Sequence, residues 1–366
     1  MLEPVPTQSL PWSWYADDAV LRAEQERIFR RAWQYAGHLG QVAEPGSYFT
    51  GRAGLLPVVV TRDRDGSLHA FLNVCRHRGF EVAQGEGKRG ALQCGYHAWT
   101  YGLDGRLRAA PRAEREPGFA PEELSLVAIQ VDTWGPFVFV NPDLEAPPLA
   151  ETLGGLPELV AEAGLDLDAL RHHHRVDYRV DANWKIVCEN YLECYHCAVA
   201  HPGFSAMVDV SPDAYTLQAS GAVSTQLGPL RENGTNAYDP AGEVERGQFH
   251  FVWPNLTINI LPGRPNLSLG PIDPVTPGRT ARFLDYFFAA DAAPEWIEEL
   301  VAFDAQVGAE DRALVEGVQR GVSSGALEHG RLMSDAERLI VRFQQQVAEA
   351  LAGLPSTAEA ADATFA

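Results

Sequence analysis

Apolar positions fall into two registers along this chain. From Asp17 to His38, in DDAVLRAEQERIFRRAWQYAGH, residues Val20, Leu21, Ile28, Phe29 and Trp33 recur near helical spacing with charges between them, which predicts an amphipathic helix. From Gly46 the texture changes to β-branched runs, YFTGRAGLLPVVVTRDRDGSLHAFLNVC, interrupted by the hairpin signal Asp65-Gly66, and YGLDGRL repeats that signal at Asp104-Gly105. Residues 41–145 therefore read as a small all-β domain ending in the strand WGPFVFVNPD. Residues 1–40 read as a helical segment that packs on a later part of the chain.

Pro147, Pro148 and a Gly-Leu-rich stretch to Leu170 mark a boundary. Beyond it HHHRVDYRVDANWK alternates as a strand and IVCENYLECYH turns helical; further strands are predicted at 247–261 and 280–290, and helices at 294–320 and 334–352. This larger unit, 146–353, makes the fold class α+β. Residues 354–366 are small and polar enough to fray.

Composition narrows the function classes. A chain of 366 residues with 46% hydrophobic content can fill two or three cores without disulfides. Its formal net charge of −20 is spread along the sequence, which argues against nucleic acid and anionic membrane as partners. No apolar run approaches the roughly 20 residues that span a bilayer, and MLEPVPTQSLPWSWY lacks the features of a signal peptide, so the expected location is cytoplasmic. Five cysteines, an odd number, fit a reducing compartment in which thiols serve as metal ligands or core filler.

Two of those cysteines stand in the pairs Cys75-Arg-His77 and Cys94-Gly-Tyr-His97, with sixteen residues between them. Two short ligand pairs on facing loops can hold a compact metal centre. A tetrahedral zinc would accept two thiolates and two imidazoles as a structural staple. A Rieske-type [2Fe-2S] cluster takes the thiolates on one iron and the imidazoles on the other. Both pairs here run Cys then His, and in this CxH, spacer, CxxH and AWTY arrangement the chain resembles the Rieske family. Trp99 and Tyr96 are candidates to shield such a cluster or to pack ordinarily, and Gly79 and Gly95 to bring backbone amides to its sulfurs.

A second centre is legible in NWKIVCENYLECYHCAVAHPGF. Glu193 and His196, three apart, are expected on one helix face, and His201 follows where AVAHPG turns the chain back. Two converging imidazoles are the start of a 2-His-1-carboxylate site that leaves positions on Fe(II) open. The carboxylate is sought in FDAQVGAEDRALVEGVQRG, where spacing does not choose among Asp304, Glu310, Asp311 and Glu316.

With both motifs in view, the chain resembles Rieske non-haem iron oxygenase alpha subunits, of the aromatic-ring-hydroxylating dioxygenase family, over nearly its whole length. The wording of ENYLECYHCAVAHPGF, FHFVWPNLTINILPG and VEGVQRG is nearest to the branch with choline, carnitine, glycine betaine and stachydrine oxygenases. The resemblance implies a catalytic domain built on an antiparallel sheet flanked by helices, with Asp311 as the third iron ligand. It implies a ring of three subunits in which the cluster of one reduces the iron of the next through a bridging carboxylate. Glu193 matches that bridge, where many relatives have aspartate, and Asn190 is a candidate pocket residue with Glu189 beside it.

The reaction implied is reductive activation of O2 at the mononuclear iron. The chain holds no GxGxxG fingerprint and no second cysteine cluster, so electrons must come from a separate NAD(P)H-dependent reductase or ferredoxin. The expected outcome is hydroxylation or N-demethylation of a small substrate such as a methylated amine. The alternatives are aromatic-ring hydroxylation by the same machinery and an electron carrier without catalysis. Phe204, Tyr215, Phe249, Phe251 and Trp253 are candidates for an aromatic wall against a quaternary ammonium, or for core.

Other residues are read plainly. Strand alternation sends His172, His173 and His174 to opposite faces, so they do not converge. Cys188, Cys194 and Cys197 are expected as small buried hydrophobes, and His38, His69, His250 and His329 have no partner at ligand spacing.

Overall fold

The computed structural model describes residues 7–353. The tail read at 354–366 lies outside the described residues. The first sheet contains β1 (Gln34–His38), β2 (Ser47–Ala53), β3 (Leu56–Arg62), β4 (Leu68–Leu72), β5 (Glu86–Lys88), β9 (Ala128–Trp134) and β10 (Phe137–Asn141). Its order is β1-β10-β9-β4-β3-β2-β5. A small three-stranded sheet of β6 (Leu92–Gln93), β7 (Thr100–Tyr101) and β8 (Leu107–Ala109) lies within the same unit.

The second large sheet is antiparallel throughout and runs in the order β11-β17-β16-β15-β14-β13-β12. Its strands are β11 (Leu170–Val180), β12 (Thr216–Ser220), β13 (Val223–Pro229), β14 (Arg246–Val252), β15 (Leu256–Ile260), β16 (Asn266–Thr276) and β17 (Arg279–Ala289). Among the described residues eight α-helices accompany the sheets: α1 (Asp18–Glu24), α2 (Leu149–Leu153), α3 (Leu156–Glu162), α4 (Trp184–Tyr191), α5 (Cys197–Ala200), α6 (Pro202–Met207), α7 (Pro294–Val322) and α8 (Arg338–Ala350).

Alternation gives this sheet two working faces. Val252, Ile258, Leu267, Leu269 and Phe287 point to a core shared with Tyr35 and Phe139 of the first sheet and with α2 and α3. The opposite face, with Phe249, Leu284 and Tyr286, packs against the chain around α5, α6 and α7. The active cavity lies on that opposite face.

The N-terminal helix is shorter than its periodicity predicts. Asp17 caps α1 by accepting from the Ala19 amide at 2.7 Å, and after a π turn at Gln25–Phe29 the chain leaves the helix and enters β1. Gln34–His38 belongs to a strand because Tyr35 and Phe139 are needed in the inter-sheet core, and tertiary packing overrides the local pattern. The helix is moored to α4 by a fully buried pair. Glu24 accepts from Lys185 Nζ at 2.5 Å and from Trp184 Nε1 at 2.8 Å, so both of its oxygens are satisfied.

Strand β16 was not foreseen, since Pro271 and Pro274 interrupt an apolar run. Pairing explains their tolerance. Pro271 sits opposite Leu256, the first residue of β15, and Pro274 lies beyond the end of that pairing, so both fall at the margin of the β15 ladder.

The joint between the two large sheets centres on Asp285, whose side chain is fully buried. Arg175 forks onto it at 2.8 and 2.6 Å, Tyr35 of β1 donates at 2.7 Å, and His172 approaches at 3.1 Å. A bulge between His172 and His174 breaks the expected alternation and lets His172 stack on His38 with ring centroids 4.0 Å apart. Burial, aided by the neighbouring His172, lowers the His38 pKa to about 4, so its ring is neutral at pH 7. A base whose folded pKa is depressed contributes stability above its unfolded value near 6.5, and that contribution is lost as pH falls toward 4. Unfolding titrations are expected to show wild type losing on the order of 1–2 kcal/mol more than His38→Gln between pH 7.5 and pH 5, after discounting for partial exposure. Equal losses in the two proteins would show that His38 does not titrate with unfolding.

Candidate metal centres

The first centre is built by two loops of matched backbone geometry. Cys75 N–H donates to Phe80 O and Cys94 N–H to Trp99 O, both at 2.8 Å, while the Gly79 and Ala98 amides return to the Cys75 and Cys94 carbonyls, both at 3.0 Å. Gly79 and Ala98 both adopt positive φ, 74° and 58°, the conformation that folds each loop back on its cysteine. The Gly79 amide thus serves a carbonyl, not a sulfur.

Each loop sends its thiol inward and its imidazole outward. Cys75 and Cys94 are buried and unpaired, whereas His77 and His97 lie at the surface with ring centroids 4.6 Å apart. Neither imidazole makes a hydrogen bond among the described residues. Two buried thiols beneath two free surface imidazoles fit a cluster whose inner iron is bound by sulfur and outer iron by nitrogen. Trp99 stacks on His77 with planes 8° apart, while Tyr96 is half exposed against His97. Sequence reading missed Tyr101. Its hydroxyl accepts from the Arg76 amide at 3.0 Å and lies 3.3 Å from Cys75 Sγ, where it can donate to a thiolate.

The second centre lies where α4, α5 and α7 meet. Asn183 caps α4 by accepting from the Lys185 amide at 3.0 Å, and the helix stops at Leu192. Glu193 and His196 therefore stand in a turn, not on a helix face as expected. Glu193 folds over that turn, accepting from the Tyr195 and His196 amides and from His196 Nδ1. His201 ends α5, and Pro202 at the first position of α6 holds it extended (φ −121°, ψ 72°) and turns its ring back toward His196.

Three ligand atoms converge. His196 Nε2 and His201 Nε2 are 3.1 Å apart, and Asp311 Oδ1 is 3.4 and 3.0 Å from them. An ion held at about 2.1 Å by each would place adjacent ligand atoms about 3 Å apart, so the triad fits one metal on one face. Both imidazoles are aimed from behind: Glu193 takes the Nδ1 proton of His196, and Glu310 Oε2 takes that of His201 at 2.7 Å. Burial opposes a second proton on His196, but Asp311 and Glu193 outweigh it and raise its pKa to about 9; the two histidines hold Asp311 well below the usual carboxylate range.

Helix α7 explains which acid goes where. Asp304, Val307, Gly308, Asp311, Arg312 and Val315 form one stripe along the cavity, at helical spacing. Asp304 accepts from Tyr286 Oη at 2.5 Å, and Glu316 accepts from the Asp181 amide at 3.3 Å. Only Asp311 reaches the two Nε2 atoms.

The cavity measures about 990 Å³ including its mouth. Asn190 lines it, together with Phe204, Tyr215 and Phe249. Glu189 does not, being turned into the core where Tyr15 Oη and Gln344 Nε2 donate to it at 2.7 and 2.9 Å. Phe251 and Trp253 pack instead on Phe343 of α8. Cys194 and Cys197, read as separate core residues, are joined by a disulfide beside His196; Cys188 remains a buried free thiol.

A family model for the ring-hydroxylating alpha subunit (catalytic domain) matches residues 167–353, and one for the Rieske [2Fe-2S] domain matches 32–131. The chain belongs to the Rieske ring-hydroxylating oxygenase alpha-subunit family. Its cofactors are accordingly a Rieske [2Fe-2S] cluster and a mononuclear iron, with O2 as co-substrate. Among its relatives is the chloroplastic choline monooxygenase of Amaranthus tricolor, 34% identical over 91% of this chain and 75% of that protein. The carnitine monooxygenase oxygenase subunit of Acinetobacter baumannii is 33% identical over 93% and 94%. Among solved structures, the quaternary ammonium Rieske monooxygenase CntA superposes with a TM-score of 0.85 at 32% identity, covering 95% of this chain and 96% of that one. Naphthalene 1,2-dioxygenase from Rhodococcus sp., at 19% identity and a TM-score of 0.79 over 95% of both chains, shares the fold.

Proposed function

We propose that this oxygenase holds its cluster with Cys75, His77, Cys94 and His97 and its mononuclear iron with His196, His201 and Asp311, and hydroxylates or N-demethylates a small methylated amine. The observation that carries the iron site is the convergence of three ligand atoms within 3.4 Å, with both histidines oriented by carboxylates. The substrate class rests on the choline and carnitine relatives and on the aromatic side chains Phe204, Tyr215 and Phe249 along the cavity, which suit a quaternary ammonium. The helical part of residues 1–40 is proposed as the segment that docks on the catalytic unit, 41–145 together with β1 as the cluster-bearing unit and 146–353 as the catalytic unit.

The iron, when bound, supplies dioxygen activation by single electrons drawn from the cluster. The chain's own residues do the rest. Glu193 and Glu310 each face an Nδ1 and fix the two rings so that both Nε2 atoms point at one place. Asn190 lines the cavity beside the aromatic wall of Phe204, Tyr215 and Phe249. Glu193 is also the proposed electron bridge from the cluster of a neighbouring subunit in a homotrimer, with a separate NAD(P)H-dependent reductase or ferredoxin as donor, in the cytoplasm. That the CntA structure is described in terms of inter-subunit electron transfer supports this arrangement.

Metal analysis with product identification tests the reading. About three irons and two acid-labile sulfides per chain are expected, with formaldehyde released from an N-methylated substrate. Two irons and no turnover would mean an electron carrier, and a cis-diol or phenol as the product would mean ring hydroxylation.

A further inference from the structure

The proposed cluster uses two of the chain's five cysteines, and Cys188 is fully buried in the core with Trp184 and Ile186. Cys194 and Cys197 remain. Both line the iron cavity, they bracket His196 in the sequence, and their sulfurs are joined. A chain of this size and hydrophobic content folds on its cores, so the bridge calls for a reason other than stability.

Hydrogen bonds already hold this turn. Cys197 N–H donates to the Cys194 carbonyl at 3.2 Å, and the Cys197 carbonyl accepts from the His201 amide at 3.0 Å and from Ser205 Oγ at 2.9 Å. Glu193 accepts from the Tyr195 and His196 amides within the same turn. The two Cα atoms, 4.9 Å apart, are therefore kept at bridging distance whether the sulfurs are joined or free. A bridge between residues three apart also constrains the unfolded chain far less than one that closes a long loop. Cys-X-X-Cys spacing is instead that of thiol pairs which open and close. The oxidant is supplied by the location. Dioxygen that takes up two electrons and two protons without oxidising a substrate leaves as hydrogen peroxide, and in this chain it leaves through the cavity that Cys194 and Cys197 line. Thiol oxidation follows exposure, and Cys194 is only partly buried whereas Cys197 is nearly wholly so.

We propose that Cys194 and Cys197 form a peroxide-reducing pair that clears hydrogen peroxide from the iron cavity. The Cys194 sulfur attacks one peroxide oxygen, the O–O bond breaks, and the departing hydroxide takes the thiol proton and leaves as water, giving a sulfenic acid at Cys194. The Cys197 thiol then attacks that sulfur; the S–O bond breaks, a second water leaves with the Cys197 proton, and the S–S bond closes. Two thiols are oxidised to one disulfide, and one peroxide is reduced to two waters. A small or protein dithiol resets the pair by thiol–disulfide exchange, itself becoming a disulfide. This activity goes beyond oxygenation and does not depend on which substrate the enzyme takes.

Thiol mapping tests this on the wild-type holoenzyme, so no variant has to fold. The enzyme is reduced with dithiothreitol, desalted without air and treated with an equimolar amount of hydrogen peroxide, and its thiols are located by alkylation and mass spectrometry. Cys194 and Cys197 are expected to alkylate before peroxide and not after it, and to alkylate again after dithiothreitol, with the cluster spectrum unchanged throughout. Cys197→Ser is expected to stop at the sulfenic acid, which dimedone traps on Cys194. With dithiothreitol present, wild type is expected to remove added peroxide at least about tenfold faster than Cys194→Ser/Cys197→Ser of matched iron content. Thiols at Cys194 and Cys197 that survive about ten equivalents of peroxide, or a bridge that dithiothreitol leaves closed, overturn the proposal. Equal peroxide removal by wild type and the double variant overturns it too, and none of these results bears on the oxygenase reading.

Discussion

Replacing His201 by alanine is expected to reduce product formation by at least about 10³-fold, equivalent to about 4 kcal/mol of transition-state stabilisation, with no change in the visible spectrum of the cluster. The side chain is almost wholly buried, and its Nε2 supplies one of three convergent ligand atoms. Its removal leaves His196 and Asp311 as the remaining pair and takes away the proton that Glu310 accepts. The count should fall from about three irons per chain to about two, because the cluster ligands lie on separate loops and are untouched. Alanine also leaves the Glu310 carboxylate without its imidazole and Asp311 with only one of its two, so a loss of stability is expected beside the loss of activity. Asp311→Asn, nearly isosteric, removes the charge at the same site with little change in packing. The same loss of iron and turnover from both variants would identify the site. A His201→Ala enzyme that keeps its third iron and its turnover would take His201 out of it.

How much of this was legible in the sequence depended on distance along the chain. The cluster ligands are separated by two and three residues within each loop, and such spacing is set by local backbone geometry, so the pairs could be read directly. His196 and His201 were legible for the same reason, with Pro202 as the local cause of the turn. The helix-face argument for Glu193 was wrong in its mechanism, since α4 ends before it, yet a tight turn brings the same two side chains together. Asp311 could not be selected by spacing, because four acids occupy that stretch and only the orientation of α7 against the two imidazoles separates them.

What stayed hidden was long-range. Glu310 orients His201 from over a hundred residues away, and no periodicity announces which imidazole nitrogen faces it. The stack of His38 on His172 needs a β-bulge, which alternation by definition excludes. The pattern of apolar residues located the first sheet, the strands β11, β14, β15 and β17 of the second and the late helices, but it did not reveal β12, β13 or β16.

Glu193→Gln is the second large effect, and it separates electron delivery from metal binding. The Glu193 carboxylate is nearly buried and gathers three donors: the Tyr195 and His196 amides and His196 Nδ1. Glutamine keeps the side-chain length and one carbonyl oxygen to accept from His196 Nδ1, while its NH2 replaces the oxygen that accepts from the Tyr195 and His196 amides, so iron content is measured beside turnover. The charge is lost, and with it the link through which an electron from a neighbouring cluster is proposed to enter His196. Product formation is expected to fall about a hundredfold while iron and sulfide contents hold at wild-type values. Stopped-flow spectroscopy distinguishes this from a merely structural role: the reduced cluster, mixed with O2 and substrate, should stay reduced far longer than in the wild type. Glu193→Asp, which restores the charge on a shorter arm, should recover part of the re-oxidation rate. If the glutamine enzyme re-oxidises its cluster at the wild-type rate, the electron takes another path, and Glu193 serves only to aim the imidazole.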